Sequence, residues 1–505
     1  MFVIASPRRM TAVALSLAAL SGCTVGPEPK VPFLPVAQAW LAPADTAEVD
    51  ATWWRTLEDP LLSDLVGAAI AGNKDLDEAS ARLREARAAR DAIRGRGRPQ
   101  GAVGAAATEN RLSGNGQLPV ASIPGFDPGF PIYDVAFDAS WEIDLWGAAR
   151  RAVQGADARA MAAEEARRGV VLQIVAEVVR AYLDLRAAQN LQASAVADAE
   201  AQDQIARIIA ERLRVGAASR FDLTRAQGQA RSTAAAIPGF GADADASAFR
   251  LALLTGQPPE ALYARLRTPQ ALPVASPQVA VGLRSDLLLR RPDIRQAERE
   301  LAAASADVGV ATAELFPRVS LLGSIGQQAR APGDLASNDS LRFQVGPALR
   351  WPILSGGRIR AQIRGADARV DAATARYERA VLGALADSET AINRFAAAGL
   401  TRIDRDGARD AAAEAVTLAR RRYLGGEDDL TALLQAQSAF SAAERQSIQA
   451  RAAELQLLAA LYKALGGGWT SIDLDAREVA PRLATASDAR RGDTPAQHPQ
   501  RGSTR

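Results

Sequence analysis

The 505-residue sequence has few of the residues that build reactive or redox-active sites: one cysteine, one histidine and three methionines. These numbers exclude a structural disulfide, a Cys/His zinc site and a haem held by two histidines. The histidine, His498, lies in a polar C-terminal tail, where it is poorly placed for a Ser-His-Asp or Cys-His triad. We therefore predict a protein that is not an enzyme and that holds no metal or other cofactor.

The charges are nearly balanced. Sixty Lys and Arg residues stand against 58 Asp and Glu, which gives a net charge of +2, and the two signs are interspersed. A protein that binds nucleic acid through its phosphates needs a larger basic excess. The mean hydropathy is −0.08, and beyond the N-terminus no apolar run reaches the roughly 18 residues of a transmembrane helix. Composition thus favours a mostly helical protein that binds no nucleic acid.

The N-terminal residues resemble a secretion signal. Arg8 and Arg9 precede an apolar run, residues 11–20, that has the length of a signal-peptide core and is too short for a transmembrane helix. The run ends in Leu-Ser-Gly-Cys23, which resembles the bacterial lipobox. We predict that residues 1–22 are removed as a lipoprotein signal peptide and that Cys23 carries a covalent lipid. An ordinary signal peptide followed by an incidental cysteine is the alternative.

Thr24 follows that cysteine. In bacterial lipoproteins an aspartate at this position is the usual signal for retention in the inner membrane, so the resemblance implies sorting to the outer membrane. Acyl chains anchor strongly, because each buried methylene contributes about 0.8 kcal/mol. We expect residues 23–57 to form a lipidated N-terminal segment.

Two halves of the sequence match each other at an offset of 210 residues, which becomes 218 further upstream. Such self-similarity predicts two copies of one structural unit. We predict two repeats in one subunit, residues 58–257 and 275–467, rather than the two to four domains that the length suggests. Equivalent pairs at the two offsets are Trp141 and Trp351, Gly216 and Gly426, and Pro99 and Pro317.

Each half contains a segment in which apolar and polar residues alternate, as in a strand with one apolar and one polar face. The segments are residues 133–145 and 341–351, with the apolar residues at odd positions in both. Weaker strands, rich in Gly and Ala, are predicted before them at about 101–108 and 318–327. The intervening residues, about 109–132 and 328–340, are rich in Gly, Pro, Asn and Ser and are predicted loops.

A long helix follows each alternating segment. Residues 148–214 and 358–423 have helical apolar spacing and contain no proline. A helix of about 65 residues is about 100 Å long, and it must pack lengthwise on other helices rather than on a globular core. Each half is therefore predicted as helix, strand pair, very long helix, turn and helix, which makes the chain mainly α-helical with four β-strands.

Four amphipathic strands cannot enclose a pore, because an open sheet leaves two unpaired edges and a transmembrane barrel must close. The smallest closed barrels have about eight strands. Three chains supply twelve strands and two supply eight, so symmetry favours a trimer and leaves a dimer open. The polar face would then line a water-filled lumen, and Tyr133, Trp141 and Trp351 would lie near the membrane interfaces.

The order of these features resembles the TolC-like outer-membrane factors, specifically their lipoprotein branch, the NodT family, which serves tripartite RND efflux pumps. The similarity covers roughly residues 23–470, and it rests on several motifs in the right order. These motifs are Trp53-Trp54 with Asp59-Pro60, Trp141-Glu-Ile-Asp-Leu-Trp-Gly147, Ala181-Tyr-Leu-Asp-Leu-Arg186, Asp286-Leu-Leu-Leu-Arg-Arg-Pro-Asp-Ile-Arg295 and Phe316-Pro317.

The resemblance implies a homotrimeric channel with a twelve-stranded barrel in the bacterial outer membrane and a helical barrel that extends into the periplasm. The implied partners are a periplasmic adaptor protein, an inner-membrane RND pump and outer-membrane lipid. The implied function is passive conduction of small molecules, such as drugs or toxic compounds, to the exterior. A protein-exporting channel of a type I secretion system is the closest alternative, and a lipid-anchored periplasmic coiled-coil scaffold is a more distant one.

The turns after the two long helices occupy equivalent positions in the repeats. Gly216 and Gly426 suit a left-handed backbone. Ser219 and Asp429 are predicted to cap the following helices. C-cap glycines without a docking role are one reading of these turns, and the resemblance implies the other, that they dock the adaptor. The implied docking residues are Val215, Gly216, Gly425 and Gly426.

Asp222 completes a Ser-x-x-Asp capping box with Ser219, which explains this residue structurally. In related channels, polar ties between neighbouring coils hold the periplasmic mouth shut. The resemblance places Tyr423 where such a tie would start, with Asp222 as its acceptor. The second tip has Ala432 where some relatives carry an aspartate, so the gating network does not transfer intact. Our hypothesis is a weaker gate, formed by Tyr423 and Asp222.

Three further segments have structural explanations. Pro292 and Asp293 are typical of a helix start. Trp53 and Trp54 are predicted to pack the N-terminal segment against the middle of the helices. The tail, residues 480–505, has no apolar period and is predicted to be disordered.

Overall fold

The computed structural model describes residues 24–35, 37, 39–41, 45–114, 125, 127–274 and 279–469. The predicted signal peptide, Cys23 and the C-terminal tail lie outside these residues. Among the helices so described, none combines the length and the apolar character that a membrane crossing requires. The chain divides into two compact units. Unit 1 comprises Met1–Leu34, Ser80–Ala166 and Asp293–Val381, and unit 2 comprises Pro35–Ala79, Arg167–Pro292 and Leu382–Arg505.

The described part of the chain contains ten α-helices and four β-strands, so the predicted class, mainly α with four strands, is confirmed. The helices are α1 (Pro60–Gly72), α2 (Lys74–Arg96), α3 (Ala148–Arg214), α4 (Arg220–Ala234), α5 (Ile237–Leu254), α6 (Pro259–Leu266), α7 (Leu287–Arg290), α8 (Pro292–Ala313), α9 (Arg358–Gly425) and α10 (Leu430–Ala464). The strands are β1 (Gln100–Arg111), β2 (Gly129–Ile143), β3 (Arg318–Ala329) and β4 (Leu341–Arg350).

The two long helices, α3 and α9, have 67 and 68 residues. Helix α3 has the predicted bounds, and α9 continues two residues past the predicted end, to Gly425. Both are rich in alanine and free of proline, so nothing in either interior interrupts the hydrogen-bond ladder.

Unit 1 contains the sheet, in which β1, β2, β3 and β4 lie side by side in chain order, all antiparallel. At the end of the first hairpin, β1 and β2 extend beyond their predicted bounds, where Arg111 pairs with Gly129. The prediction of a loop over 109–132 was therefore wrong at both of its ends. Residues 109–111 and 129–132 belong to strands.

The prediction that β2 includes Leu145 was also wrong. The N–H of Leu145 donates to the carbonyl of Ile143 at 2.9 Å, which turns the chain. The carboxylate of Asp144 then accepts the N–H groups of Ala149 (3.1 Å) and Arg150 (3.0 Å), so it satisfies the first donors of α3. Asp144, which was predicted as a polar residue of the strand, therefore caps the start of the long helix.

Unit 2 has its own core, in which the two adjacent tryptophans are buried as expected of packing residues. The ring of Trp53 stacks on that of Tyr462 with centroids 4.8 Å apart, and Trp54 meets Trp53 edge-on. Helix α1 begins beside them at Pro60, and the Asp59 carboxylate caps it by accepting the N–H of Leu61 at 2.9 Å. The tryptophans and the capped helix together fix residues 53–60 within unit 2.

The two repeats differ after their long helices. The second repeat continues as one helix, α10, whereas the first is divided into α4 and α5. Pro238 occupies the start of α5, and a proline inside a helix removes a hydrogen bond and clashes with the preceding turn. The break therefore has a local cause in the sequence. Helix α8 likewise begins at a proline, Pro292, as predicted.

Candidate functional site

The two faces of the sheet in unit 1 differ in composition, because successive side chains of a strand point to opposite faces. One face is apolar and uncovered by the described residues of the chain, and the exposure of its large exposed side chains ranges from 38% at Trp141 to 76% at Val103. The other face is polar. A row across the apolar face is Val103, Phe137, Ile325 and Phe343, and the next row, on the polar face, is Ala102, Asp138, Ser324 and Gln344.

The three predicted interface aromatics lie on the apolar side, at opposite ends of the sheet. Tyr133 pairs with Ala107 and Ala329 near the loop end of β2. Trp141 lies near the helix end of that strand, and Trp351 directly follows β4. Aromatic rings therefore lie at both borders of the apolar face, and their place at the membrane interfaces stays a prediction.

The residues that directly follow Cys23 are held by a buried arginine of unit 1. Arg151, in the first turn of α3, is only 2% exposed. Its guanidinium donates to the carbonyls of Val25 (3.1 Å) and Gly26 (3.2 Å) and to the carboxylate of Glu28 (2.8 Å). A buried guanidinium needs this many acceptors because burying an unpaired charge is costly. The contacts fix the start of the predicted lipidated segment to the strand–helix junction.

Two glycines make room for this segment. A side chain at Gly309 of α8 would collide with Arg151 and with the carbonyl of Val25, both within 3 Å of its first carbon atom. Gly147, which has a φ of +79°, faces Thr24 at a similar distance. The dock for residues 24–28, hereafter the N-terminal dock, therefore consists of Arg151, Gly147 and Gly309. Nothing in the local sequence pattern identified it.

The tip of the first repeat, in unit 2, closes α3 with a left-handed glycine. Gly216 has a φ of +75°, and the N–H of Ala217 donates to the carbonyl of Arg212 at 2.7 Å, as in a Schellman turn. Ser219 then caps α4, since its hydroxyl accepts the N–H of Asp222 at 3.1 Å and the Asp222 carboxylate accepts the N–H of Ser219 at 3.0 Å. Val215 is 66% exposed at the end of this turn.

The tip of the second repeat is built in the same way. Gly426 has a φ of +77°, and the N–H of Glu427 donates to the carbonyl of Arg422 at 2.9 Å. Gly425 is the last residue of α9, and Asp429 caps α10 by accepting the N–H of Ala432 at 3.0 Å. Both tips thus present a short glycine turn followed by a capped helix.

Tyr423 and Asp222 have separate partners within the described chain. Tyr423 is 7% exposed, and the guanidinium of Arg212 lies 4.8 Å from its ring centre and donates to its carbonyl at 3.2 Å. Asp222 accepts the Ser219 hydroxyl at 2.6 Å. This bond, with the one from the Ser219 N–H, holds the pKa of Asp222 below its usual value. No hydrogen bond between Tyr423 and Asp222 is found among the described residues, so the tie stays a prediction about neighbouring copies.

A second buried arginine organises unit 2. Arg186 of α3 donates to the Thr268 carbonyl (2.8 Å) and to the Gln270 side chain (2.9 Å), and its guanidinium lies 4.8 Å from the ring centre of Tyr182. The Tyr182 hydroxyl donates to Asp59. Burial, together with this bond, raises the pKa of Tyr182. The Tyr182 and Arg186 positions of the quoted motif are therefore structural, which their four-residue spacing on one helix face could have indicated.

An ionic network joins α9 and α10 in unit 2. Asp406 accepts the hydroxyl of Ser447 at 2.5 Å, Nε of Arg451 at 3.1 Å and one guanidinium nitrogen of Arg402 at 3.3 Å. Burial alone would raise the pKa of Asp406, but these hydrogen bonds outweigh it and hold the pKa below its usual value. Arg402 also pairs with Glu454 at 2.7 Å. Sequence patterns did not single out this network.

A family comparison decides the class of this molecule. The sequence model of the family described as "Outer membrane efflux protein" matches residues 65–257 and 283–467. The chain belongs to this family. It is an outer-membrane channel of the efflux class, as the sequence motifs predicted. In the described residues, no group of three or more His, Cys, Asp or Glu side chains could hold a metal ion.

Several curated members of the outer membrane efflux protein family are similar over most of their length. The pyoverdine export outer membrane protein OpmQ of Pseudomonas aeruginosa is 30% identical over 83% of this chain and 88% of its own. Nodulation protein T of Rhizobium leguminosarum bv. trifolii is 29% identical over 90% and 96%. Outer membrane protein OprJ of Pseudomonas aeruginosa is 32% identical over 89% and 94%.

Solved structures share the fold of this family member. The outer-membrane channel OprN is 36% identical, and its structure matches 88% of this chain and 100% of its own with a TM-score of 0.81. The Campylobacter jejuni CmeC outer membrane channel, at 21% identity, matches 91% of this chain and 98% of its own with a TM-score of 0.83. The second likeness concerns the fold alone.

Proposed function

We propose that three copies of this chain form the exit channel of a tripartite RND-type efflux pump. The observation that carries the proposal is the sheet, which has an exposed apolar face, a polar face and two outer strands, β1 and β4, at its edges. Edge strands present unpaired backbone groups, which lipid cannot satisfy. Joining β4 of one copy to β1 of the next closes twelve strands into a barrel, with the apolar face toward lipid and the polar face toward the lumen.

In this proposal the two repeats, residues 58–257 and 275–467, each contribute two strands and one long helix. The long helices α3 and α9 each have the length of about 100 Å that a periplasmic conduit requires. Three copies would bring six such helices, with their shorter partners, into one helical barrel. The glycine turns at both tips would then meet at the periplasmic mouth.

The lipid anchor is part of the proposal. The Cys23 thiol receives its lipid before residues 1–22 are removed, and the N-terminal dock holds Thr24 to Glu28 at the junction of β2 and α3. Metabolic labelling with palmitate tests this step. Label is expected in the native protein and absent from Cys23→Ala, and an unlabelled native protein would contradict the anchor.

The tips are the proposed docking site for a periplasmic adaptor. The two turns expose Val215, Gly216, Gly425 and Gly426, and the side chain of Val215 offers apolar area to a partner hairpin. The gate is proposed between copies, where the Tyr423 hydroxyl of one coil would reach Asp222 of the next. The Arg212 stack keeps the Tyr423 ring in place for that contact.

Small molecules are the proposed cargo. The region aligned with this chain spans 88% of a relative named for pyoverdine export and 97% of one named for toluene efflux. Neither is a protein exporter by name. The pump and the adaptor would select among small compounds, and this channel would conduct them passively.

The proposal is tested with purified protein and with cells. Chemical cross-linking in detergent is expected to give a trimer, and the trimer is expected to conduct ions across a planar bilayer. In cells, deletion of the gene should raise the accumulation of a toxic dye, and the native gene should restore its export. A protein that remains monomeric, or that forms no conducting pore when folded, would overturn the proposal.

A further inference from the structure

The polar face of the sheet carries an equal number of acidic and basic side chains, but they are paired unevenly. The six charged residues at the even-numbered positions of the strands are Asp134, Asp138, Glu142, Arg318, Arg342 and Arg350. Paired charges cancel at short range, whereas an unpaired charge acts on ions that pass within about 10 Å at 0.1 M salt. The pairing therefore determines which charges a passing solute meets.

Asp134 is neutralised by an arginine two strands away. Arg342 of β4 donates to both carboxylate oxygens of Asp134 in β2, at 2.6 and 2.9 Å, in the bidentate geometry that suits guanidinium and carboxylate. On β3, Gly326 is level with Arg342 and has no side chain to obstruct the guanidinium, whereas Asp134 is level with Gln328. Gln328 of β3 donates to the same carboxylate at 2.9 Å. The pair also braces β2 against β4.

Asp138 has no such partner. It lies two repeats of the pleat from Asp134 on the same face, it is exposed, and among the described residues its carboxylate makes no hydrogen bond or ion pair. Arg342 is near enough to be attracted by its charge, but the hydrogen bonds of that guanidinium go to Asp134 and Ser324. Asp138 is therefore an unneutralised carboxylate near the middle of the polar face.

The surroundings of Asp138 are open because its neighbours are small. It lies in a depression of about 480 Å³ on the sheet surface. Register neighbours on the two adjacent strands are Ala102 and Ser324, and Ser140 follows on its own strand. None of them reaches over the carboxylate, so hydrated ions and small solutes have access to it.

The other charges of this face lie at the helix end of the sheet. Arg318 pairs with Glu314 at 2.8 Å and stands opposite Arg350 in the register. Glu142 is level with Ser320, one pleat from that end. Acidic and basic groups are therefore both present at the helix end, whereas Asp138 alone is unpaired in the middle.

We propose that Asp138 makes the sheet section of the channel prefer cations, and that Arg342 limits this preference by masking Asp134. The inference rests on the proposed function, in which the polar face lines the lumen and three copies bring three Asp138 carboxylates into one ring. Rings of carboxylates favour cations over anions in pores. Small solutes with an amine would pass this section more readily than solutes with a carboxylate.

The test is the permeability ratio of K⁺ to Cl⁻, obtained from the reversal potential of single channels in a KCl gradient. Asp138→Asn is expected to lower the ratio by about twofold or more, because it removes the unpaired charge with little change in shape. Arg342→Gln is expected to raise the ratio, because it unmasks Asp134. The double variant Asp134→Asn with Arg342→Gln is expected to return the ratio close to that of the native channel.

Glu109→Gln is the matched control, since it makes the same charge change on the opposite face of β1. Its ratio should equal that of the native channel, and the effect of Asp138→Asn should weaken as the KCl concentration rises. Conducting channels in which Asp138→Asn or Arg342→Gln leaves the ratio unchanged would overturn this inference while the proposed function stands. The absence of conduction in the native protein would instead overturn the proposed function.

Discussion

Trp351 makes the same hydrogen bond in the second repeat that Trp141 makes in the first. The indole N–H of Trp141 donates to the carbonyl of Gly97 at 3.2 Å, and that of Trp351 donates to the carbonyl of Leu315 at 3.1 Å. The donors differ by 210 positions and the acceptors by 218, the two offsets found in the sequence. The repeat therefore extends to a single side-chain contact, which ties the end of one strand to the start of its partner.

These two bonds predict equal losses of stability. Trp141→Phe and Trp351→Phe each keep a large apolar ring and remove one N–H donor, so each should lower the free energy of unfolding by about 0.5–1.5 kcal/mol. Thermal unfolding of the detergent-solubilised protein measures the change. Tyr133→Phe is the control, because its hydroxyl makes no hydrogen bond among the described residues. Equal stability of the control and both tryptophan variants would contradict this role.

From the contacts of Arg151 we predict that this side chain keeps the N-terminal segment ordered. Arg151→Gln removes the donors to Val25, Gly26 and Glu28, so residues 24–28 should become mobile while the rest of unit 1 stays folded. A nitroxide label on Pro29→Cys reports this mobility by electron paramagnetic resonance. The chain has no second native cysteine, and the proposed lipid occupies Cys23, so the engineered thiol reacts alone.

The control for that experiment is Arg159→Gln, on the same helix, whose side chain pairs with Asp307 instead of the N-terminal segment. Its label should be as immobile as in the native protein. A label of unchanged mobility in Arg151→Gln would show that the dock does not hold the segment.

Local patterns in the sequence predicted the elements of the fold but not the contacts between distant ones. The alternation from residue 133 onward gave the two faces of the sheet, because side-chain direction in a strand depends only on position. Helical apolar spacing without proline predicted α3 with its observed bounds. The Arg151–Glu28 and Tyr182–Asp59 contacts each span 123 positions, and no periodicity relates such residues.

The same distinction explains the tips. Ser219 and Asp222 are three residues apart, so their capping box was visible as a motif. The stack of Arg212 on Tyr423 joins two repeats and depends on how two helices pack, which the sequence does not encode locally. The sequence therefore predicts a tie between Tyr423 and Asp222 of neighbouring copies, but it does not predict the contact of Tyr423 with Arg212 of the same chain.

The caps predict local order at the tips. Ser219→Ala removes the acceptor for the Asp222 N–H, which should destabilise the first turn of α4 by about 0.5–2 kcal/mol. Hydrogen exchange of the amides in residues 220–223 should become faster, while exchange in α10 stays the same. Asp429→Ser is the matched control at the equivalent position, because serine retains a capping oxygen. Slow exchange in Ser219→Ala would contradict the cap.

The proposed gate predicts a difference between two changes at one position. Tyr423→Phe removes the hydroxyl but keeps the ring that Arg212 covers, so it should leave the tip folded and raise the conductance of the closed channel. Tyr423→Ala should in addition loosen the small core around Ile209 and Leu433. Single-channel recording compares them. If the conductance of Tyr423→Phe equals the native value, the bond between Tyr423 and Asp222 does not hold the channel closed.

Asp222 is tested separately, because its capping role confounds a deletion. Asp222→Glu keeps the acid that a capping box prefers at this position and moves the carboxylate outward. Ser219→Ala serves as the control that loses the cap and keeps the Asp222 charge. If only Asp222→Glu changes the conductance, the position of the carboxylate, and not the stability of the helix, controls how tightly the channel closes.

Asp406 predicts how acid affects the helix pair of unit 2. A carboxyl group whose pKa is lower in the folded state stabilises that state above its ordinary pKa, and the contribution is lost as the pH falls through the lowered value. The contact between α9 and α10 should therefore weaken below about pH 4, the ordinary range of an aspartate.

Asp406→Asn tests this expectation. The variant should show the weaker contact at neutral pH, and the strength of the contact should no longer change as the pH falls. Hydrogen exchange around Ser447 between pH 3 and 7 measures it, with Asp410→Asn as the control, since in the described part of the chain that exposed carboxylate pairs with neighbouring Arg409. An acid dependence that persists in Asp406→Asn would assign the effect to another group.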